Sequence, residues 1–322
     1  MEILYQTPDN PVPENHVAGH FRAFDGCRLR YAIFRAATPV AKGTVVLLHG
    51  RNETIEKYYE TIGDLTRMGL WVATFDSRGQ GGSDRLIKRR DRGHIHRFDD
   101  HLRDLDTFLR DIVLPDTRLP FFILAHSSGA LVALAAAPRL ARKIDRMVLA
   151  APFIDLTGQR FSRSTIGFVT RAVSLAGLGR MTLYAKPAAP SFEGNPLTSD
   201  RRRFKRNNAI TETVDALYLG PPTARWLSEM NRAVNRVNRM EFLTRITIPT
   251  LVLMAGRDTL VASSSMEAFS HRFRAARLIA IDGARHELLQ EADYYREQAL
   301  AAIEAFLPGK DNLFIQATLQ GA

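Results

Sequence analysis

The chain has 322 residues, of which 45% are hydrophobic and 24% charged, with one cysteine and a formal net charge of +10. Such a composition supports a sizeable globular core and excludes an internal disulfide or a cysteine-based metal site. Fifteen Lys and Arg against seven Asp and Glu fall between Asp155 and Arg245, so the basic excess is local, and with no recognised binding module it does not mark a nucleic-acid binder.

The N-terminus has an early acid and two prolines instead of the basic head and apolar run of a secretory signal. No apolar run approaches the ~18–20 residues that span a bilayer. A cytoplasmic protein is expected, with peripheral contact at the inner face of the membrane left open. Residues 1–20 are Pro-rich and weakly patterned, and read as a strap. Two short strands, 20–24 and 28–35, flank the turn dipeptide Asp25-Gly26. Residues 43–50 form an apolar run suited to a strand buried on both faces, followed by a helix over 55–68 that Gly69 stops. The next strand, 70–75, leads into the glycine-rich stretch Asp76 to Ser83. This stretch lacks both the phosphate-cradle and the dinucleotide patterns and reads as a structural turn. Phe98, Leu102, Leu105, Phe108 and Leu109 recur at helical spacing and place a helix over 99–113.

Phe121 to Gly129 reads as a buried strand running into a serine and then an apolar helix. Ser127 sits between Ala125 and Gly129, small residues two positions to either side, as a nucleophile in a sharp strand-to-helix turn requires. A strand at 146–153 follows. The alternation then breaks for about ninety residues and resumes with a strand at 249–256, a helix at 263–273, a strand at 277–282 and a helix at 292–306. Regular alternation predicts an α/β fold with a mainly parallel sheet flanked by helices. The expected organisation is an N-terminal strap (1–20), a core (21–154 and 246–309), a helical cap inserted between two strands (155–245) and a tail (310–322).

A serine nucleophile needs a base and an acid to orient that base. Asp258 follows the strand ending at Gly256 and His286 follows the strand ending at Asp282, so both fall at carboxyl ends of strands, where such sheets build sites. Asp282 and Glu287 are the alternative acids. His126 adjoins the serine but projects differently from a sharp turn, and His49 is expected to brace the loop that follows it. The oxyanion of an acyl-transfer intermediate needs N–H donors. Those expected are the backbone N–H groups of Arg51 and Ser128.

The segments H-G-R-N-E with Lys57-Tyr58, D-S-R-G-Q-G-G-S-D-R-L, G-H-I-H-R-F-D-D-H-L and L-A-H-S-S-G resemble the lysophospholipase L2 branch of the monoacylglycerol lipase-like serine hydrolases, which carry a serine aminopeptidase S33-type domain. The likeness runs from Phe21 to Phe306. It implies a capped α/β-hydrolase that uses Ser127, Asp258 and His286, with no cofactor or metal, to cleave a fatty-acyl ester of a lysophospholipid or monoacylglycerol. Members commonly have Met-Gly-Gly after the serine, where this chain has Ser128-Gly129-Ala130.

In the expected cap, Ile166, Phe168, Val169, Val173 and Leu175 make one apolar helical stretch. Trp226, Leu227, Met230, Val234 and Val237 share one face of a second helix, whose other face carries Arg225, Glu229, Arg232, Arg236 and Arg239. Phe168, Val169, Trp226 and Met230 are candidates for lining the substrate path, and the basic face for meeting an anionic membrane or a lipid phosphate. An aminopeptidase or iminopeptidase, an acyltransferase on the same triad, and a noncatalytic binder are the alternatives. Oligomeric state is not legible.

Overall fold

In a computed structural model, residues 3–155, 163–183 and 191–307 are described; the expected tail, 310–322, lies outside them. Eight strands form one sheet in the order β1-β2-β4-β3-β5-β6-β7-β8, comprising β1 (His16–Arg22), β2 (Arg28–Phe34), β3 (Gly43–Leu48), β4 (Leu70–Phe75), β5 (Phe121–His126), β6 (Arg146–Ala150), β7 (Thr250–Ala255) and β8 (Ala276–Ile281). β1 and β2 pair antiparallel at one edge, and every pairing from β4 to β8 is parallel.

All residues of β3, β5 and β7 are buried, because helices cover both faces of a parallel sheet. On one face the core takes in the helices Phe98–Phe108, Ser127–Leu140 and Ala224–Val237, while the other holds Tyr59–Arg67 and Asp293–Phe306. The first strand begins at His16, four residues before the apolar pattern suggests, since backbone pairing with β2 carries its exposed residues. Ahead of it the chain lies against the core, with Leu4 buried and the Tyr59 hydroxyl donating to the Tyr5 carbonyl at 3.0 Å. The helix expected over 99–113 is α-helical to Phe108 and then widens into a π turn over Leu109–Val113.

Between β6 and β7 the chain leaves the sheet and returns through the helices Arg163–Val173, Arg201–Thr213 and Ala224–Val237. The last is strongly amphipathic, burying Trp226, Leu227, Met230, Ala233, Val234 and Val237. It packs on the helix that starts at Ser127.

Candidate active site

β5 carries the chain to the centre of the sheet edge and turns it into a helix within one residue. Ser127 takes φ +50° there, a left-handed conformation costly for a residue with a Cβ. The turn holds because the Ser127 carbonyl accepts the Phe153 N–H at 3.1 Å and because Gly129 has no side chain. A Cβ on Gly129 would collide with the backbone carbonyls of Leu48 and His49 at the end of β3. Ala125, the other small position, is wholly buried, so its methyl group packs without strain. The N-terminus of a 14-residue helix therefore points at the serine and favours negative charge beside it.

The structure brings three of the expected residues together. His286 Nε2 lies 2.9 Å from Ser127 Oγ, and His286 Nδ1 lies 2.7 Å from Asp258 Oδ2. Asp258 sits three residues beyond Ala255, where β7 ends; its other oxygen accepts the Leu260 and Val261 N–H groups at 2.8 and 3.2 Å. The acid is thus oriented by backbone, and the imidazole by the acid. Both side chains are nearly inaccessible to water. Of the alternative acids, Asp282 is exposed and Glu287 is taken by Lys57, whose Nζ donates to it at 2.6 Å. His126 does project away from the serine hydroxyl: its ring nitrogens face Glu53 Oε2 at 3.2 Å and the His286 carbonyl at 3.3 Å.

The loop after β3 supplies the second side of the site. Among the described residues the Arg51 N–H meets no acceptor, and the Ser128 N–H belongs to the first helical turn, which has no intrahelical partner. The loop is held from three directions. Glu53 accepts the Gly50 N–H, the Tyr58 hydroxyl at 2.8 Å and Lys57 Nζ at 2.8 Å. Gln80, from the glycine-rich turn, donates to the Gly50 carbonyl at 2.8 Å and accepts the Asn52 N–H at 3.3 Å. His49 sits between the Gly50 carbonyl and Asp76, each at 3.2 Å.

Asp76 anchors the whole turn, pairing with Arg30 and accepting the Ile55 and Gly82 N–H groups at 3.0 and 2.7 Å. Burial would raise its pKa, but Arg30 and the hydrogen bond from His49 bring it down to about 2. Glu53 is likewise held well below the usual carboxylate range by Lys57 and His126 against the cost of burial. Burial disfavours a charged His126, yet Glu53 raises its pKa. Both ring nitrogens of His126 face acceptors, an arrangement that favours the protonated ring.

Glu53, Lys57, Gln80, Asp76 and His126 are site residues that spacing alone did not single out. Glu53, Lys57, Asp76 and Gln80 lie in the H-G-R-N-E, Lys57-Tyr58 and D-S-R-G-Q segments and His126 in L-A-H-S-S-G, and all five side chains are largely buried.

The remaining candidates divide. Trp226 and Met230 line a cavity together with Arg51, Ser128, Gly129 and Val132. Phe168 and Val169 do not: they are 76% and 42% exposed on the outer face of their helix. That helix turns Ile166, Gly167 and Thr170 inward, with Gly167 against Asn231 of the helix Ala224–Val237. Apolar residues stand on both faces of this helix, Ile166 buried and Phe168 and Val169 exposed, so apolar character alone did not separate the inner residues from the outer ones.

The serine aminopeptidase, S33 family matches residues 39–293. The chain is 30% identical to the probable lysophospholipase L2 of Haemophilus influenzae over 265 residues, covering 82% of this chain and 83% of that one. It is 30% identical to lysophospholipase L2 of Escherichia coli over 301 residues, covering 89% and 86%. A soluble variant of the monoglyceride lipase from Saccharomyces cerevisiae, solved with a substrate analogue, superposes with a TM-score of 0.71 at 19% identity, over 91% of this chain and 94% of that one. With this fold, and with the family's match extending over most of its length, the chain belongs to the serine aminopeptidase S33 family of α/β-hydrolases.

Proposed function

We propose that the protein is a serine carboxylic-ester hydrolase that cleaves a fatty-acyl ester of a lysophospholipid or monoacylglycerol through an acyl-enzyme. The observation that carries the reading is the continuous chain Ser127 Oγ, His286 and Asp258 at 2.9 and 2.7 Å, beside an Arg51 N–H with no acceptor of its own. Ser127 Oγ attacks the ester carbonyl while His286 Nε2 takes its proton, and Asp258 stabilises the imidazolium. The Arg51 and Ser128 N–H groups receive the negative charge that develops on the carbonyl oxygen. As the tetrahedral adduct collapses, His286 returns the proton to the departing alcohol. Water, deprotonated by His286, then releases the fatty acid and restores Ser127.

The segment between β6 and β7 acts as the cap. The cavity beside Trp226 and Met230 has no carboxylate in its wall, which leaves an aminopeptidase without a group there to hold a substrate amine. Among the described residues no helix is long and apolar enough to cross a membrane. Phe168, Leu175, Leu178 and Met181 are exposed in one part of the cap, with Arg171 and Arg180 exposed beside them. A surface of this kind docks peripherally on an anionic bilayer, which vesicle sedimentation measures.

Turnover of lysophospholipids, monoacylglycerols, short p-nitrophenyl esters and aminoacyl arylamides, compared between wild type and Ser127→Ala, tests the function. Lipid-ester cleavage abolished in Ser127→Ala is expected. A preference for aminoacyl arylamides would overturn the reading.

A further inference from the structure

Among the described residues, the fully buried arginines are paired with carboxylates. Arg30 has Asp76 and Glu56, Arg78 has Asp104 and Asp25, and Arg203 has Glu60, Asp200 and Asp293. Arg51, half-buried, has no such partner; unlike Arg85 and Arg285, which are also held by backbone carbonyls alone, it sits beside the elbow and keeps an unmet donor. Its Nη2 donates to the Gly220 carbonyl and its guanidinium lies 5.4 Å from the centre of the Trp226 ring, but its Nε proton meets neither solvent nor an acceptor. Among the described residues no carboxylate lies within ion-pair distance of it. Burial draws its pKa down to about 10, which leaves it cationic at neutral pH.

The cavity that Arg51 enters runs along the flank of the elbow, against Ser128 and Gly129, and no Asp or Glu lines it. Two histidines in its wall cannot share the charge, since burial lowers the pKa of His94 to about 4 and that of His101 to about 3. The carbonyl of Gly220 does not require a cation to hold its loop, because Arg85 already donates to the Ala216 and Tyr218 carbonyls at 2.8 and 3.1 Å. A desolvated cation without a counter-ion is costly, and an arriving anion would relieve that cost.

We infer that the Arg51 guanidinium binds the phosphodiester of a lysophospholipid head group, so that this one residue offers its backbone N–H to the oxyanion and its side chain to the leaving group. The inference rests on the ester-hydrolase reading above. In a lysophospholipid, glycerol separates the scissile ester oxygen from the phosphate by three carbons. An arginine, with three methylenes between Cα and the guanidinium, reaches across a comparable gap. Planar, bidentate donation suits a phosphate oxygen pair.

The test is the ratio of kcat/KM for lysophosphatidylglycerol to kcat/KM for the monoacylglycerol of the same acyl chain, in wild type, Arg51→Met and Arg51→Lys. Any loss common to both substrates, from a disturbed oxyanion loop or an inactive fraction, cancels in the ratio. Losing one charge-assisted contact to phosphate should lower it about tenfold or more in Arg51→Met, with partial recovery in Arg51→Lys. Glycerol 3-phosphate should inhibit the monoacylglycerol reaction of wild type more strongly than that of Arg51→Met. A ratio within about twofold of wild type in Arg51→Met, by the same yardstick, would overturn the inference. So would Arg51-dependent inhibition by decanoate with an unchanged ratio, which would assign the site to the product carboxylate. Turnover of neither lipid by wild type would remove the ester-hydrolase reading as well.

Discussion

Replacing Glu53 by glutamine separates the triad from the charge cluster that holds its two loops in register. The side chain is 3% exposed and keeps its shape in the variant. In the native cluster Lys57 lies between Glu53 and Glu287, and Glu53 also faces His126. Once Glu53 is neutral, His126 loses the Coulombic support that raises its pKa, which favours its neutral form. Lys57 and Glu287 then balance each other. The cost is therefore that of four weakened charge-assisted hydrogen bonds, from Gly50, Tyr58, Lys57 and His126, each about 1.5–3 kcal/mol if lost outright, largely offset by what the glutamine carbonyl recovers. We expect about 3 kcal/mol of lost stability, within the 3–5 kcal/mol range for breaking a buried pair.

A neutral His126 can donate from one ring nitrogen only, so it releases either residue 53 or the His286 carbonyl. The Gly50 peptide, and with it the Arg51 N–H, loses its tether. Since removing an oxyanion donor costs about 100- to 1000-fold in kcat, displacing one should cost about 10- to 100-fold. Urea midpoints with their slopes give the stability change, and a short p-nitrophenyl ester gives kcat separately from KM. A stability loss under ~1 kcal/mol together with kcat within about twofold of wild type would refute the reasoning.

Two further outcomes follow from the same structure. His101 has a folded pKa of about 3 against 6.5 for the free side chain, so between those values the unfolded chain binds the extra proton and stability rises with pH. Acidification through this window should cost roughly 1.4 kcal/mol per pH unit from this residue, and His101→Gln should reduce the slope of unfolding free energy near pH 5 by about one proton's worth. An unchanged slope would show that His101 is solvated. For the membrane, Phe168→Asp with Leu175→Asp should weaken sedimentation with phosphatidylglycerol vesicles at least tenfold, because each apolar side chain moved out of water contributes about 2 kcal/mol. Equal binding by the double variant would place the contact elsewhere. Arg232 and Arg236 are weaker determinants than their positions suggest, being paired with Glu229 at 2.6 Å and Asp99 at 3.1 Å.

The local residue pattern of this chain determined its fold class and the order of its core elements, because β3, β5 and β7 are buried throughout and parallel strands must then be apolar along their whole length. It also placed Ser127, Asp258 and His286 at strand ends, which are visible in sequence, and the structure brings their side chains to 2.9 and 2.7 Å of one another in turn. Tertiary structure decided what pairwise pattern cannot encode. Glu53 and His286 are 233 residues apart, yet they share His126 as a bridge; Asp76 serves a loop some twenty residues before it.

Facing was decided in the same way. Trp226 and Met230 turn inward on an amphipathic helix whose polar side is obvious, whereas the helix around Phe168 carries apolar residues on both faces, with Ile166 buried and Phe168 and Val169 exposed. Its outer face became known only from what the neighbouring helix left uncovered. The missing counter-ion of Arg51 is a tertiary fact too: a sequence shows which acids exist, and only packing shows that none of them reaches it.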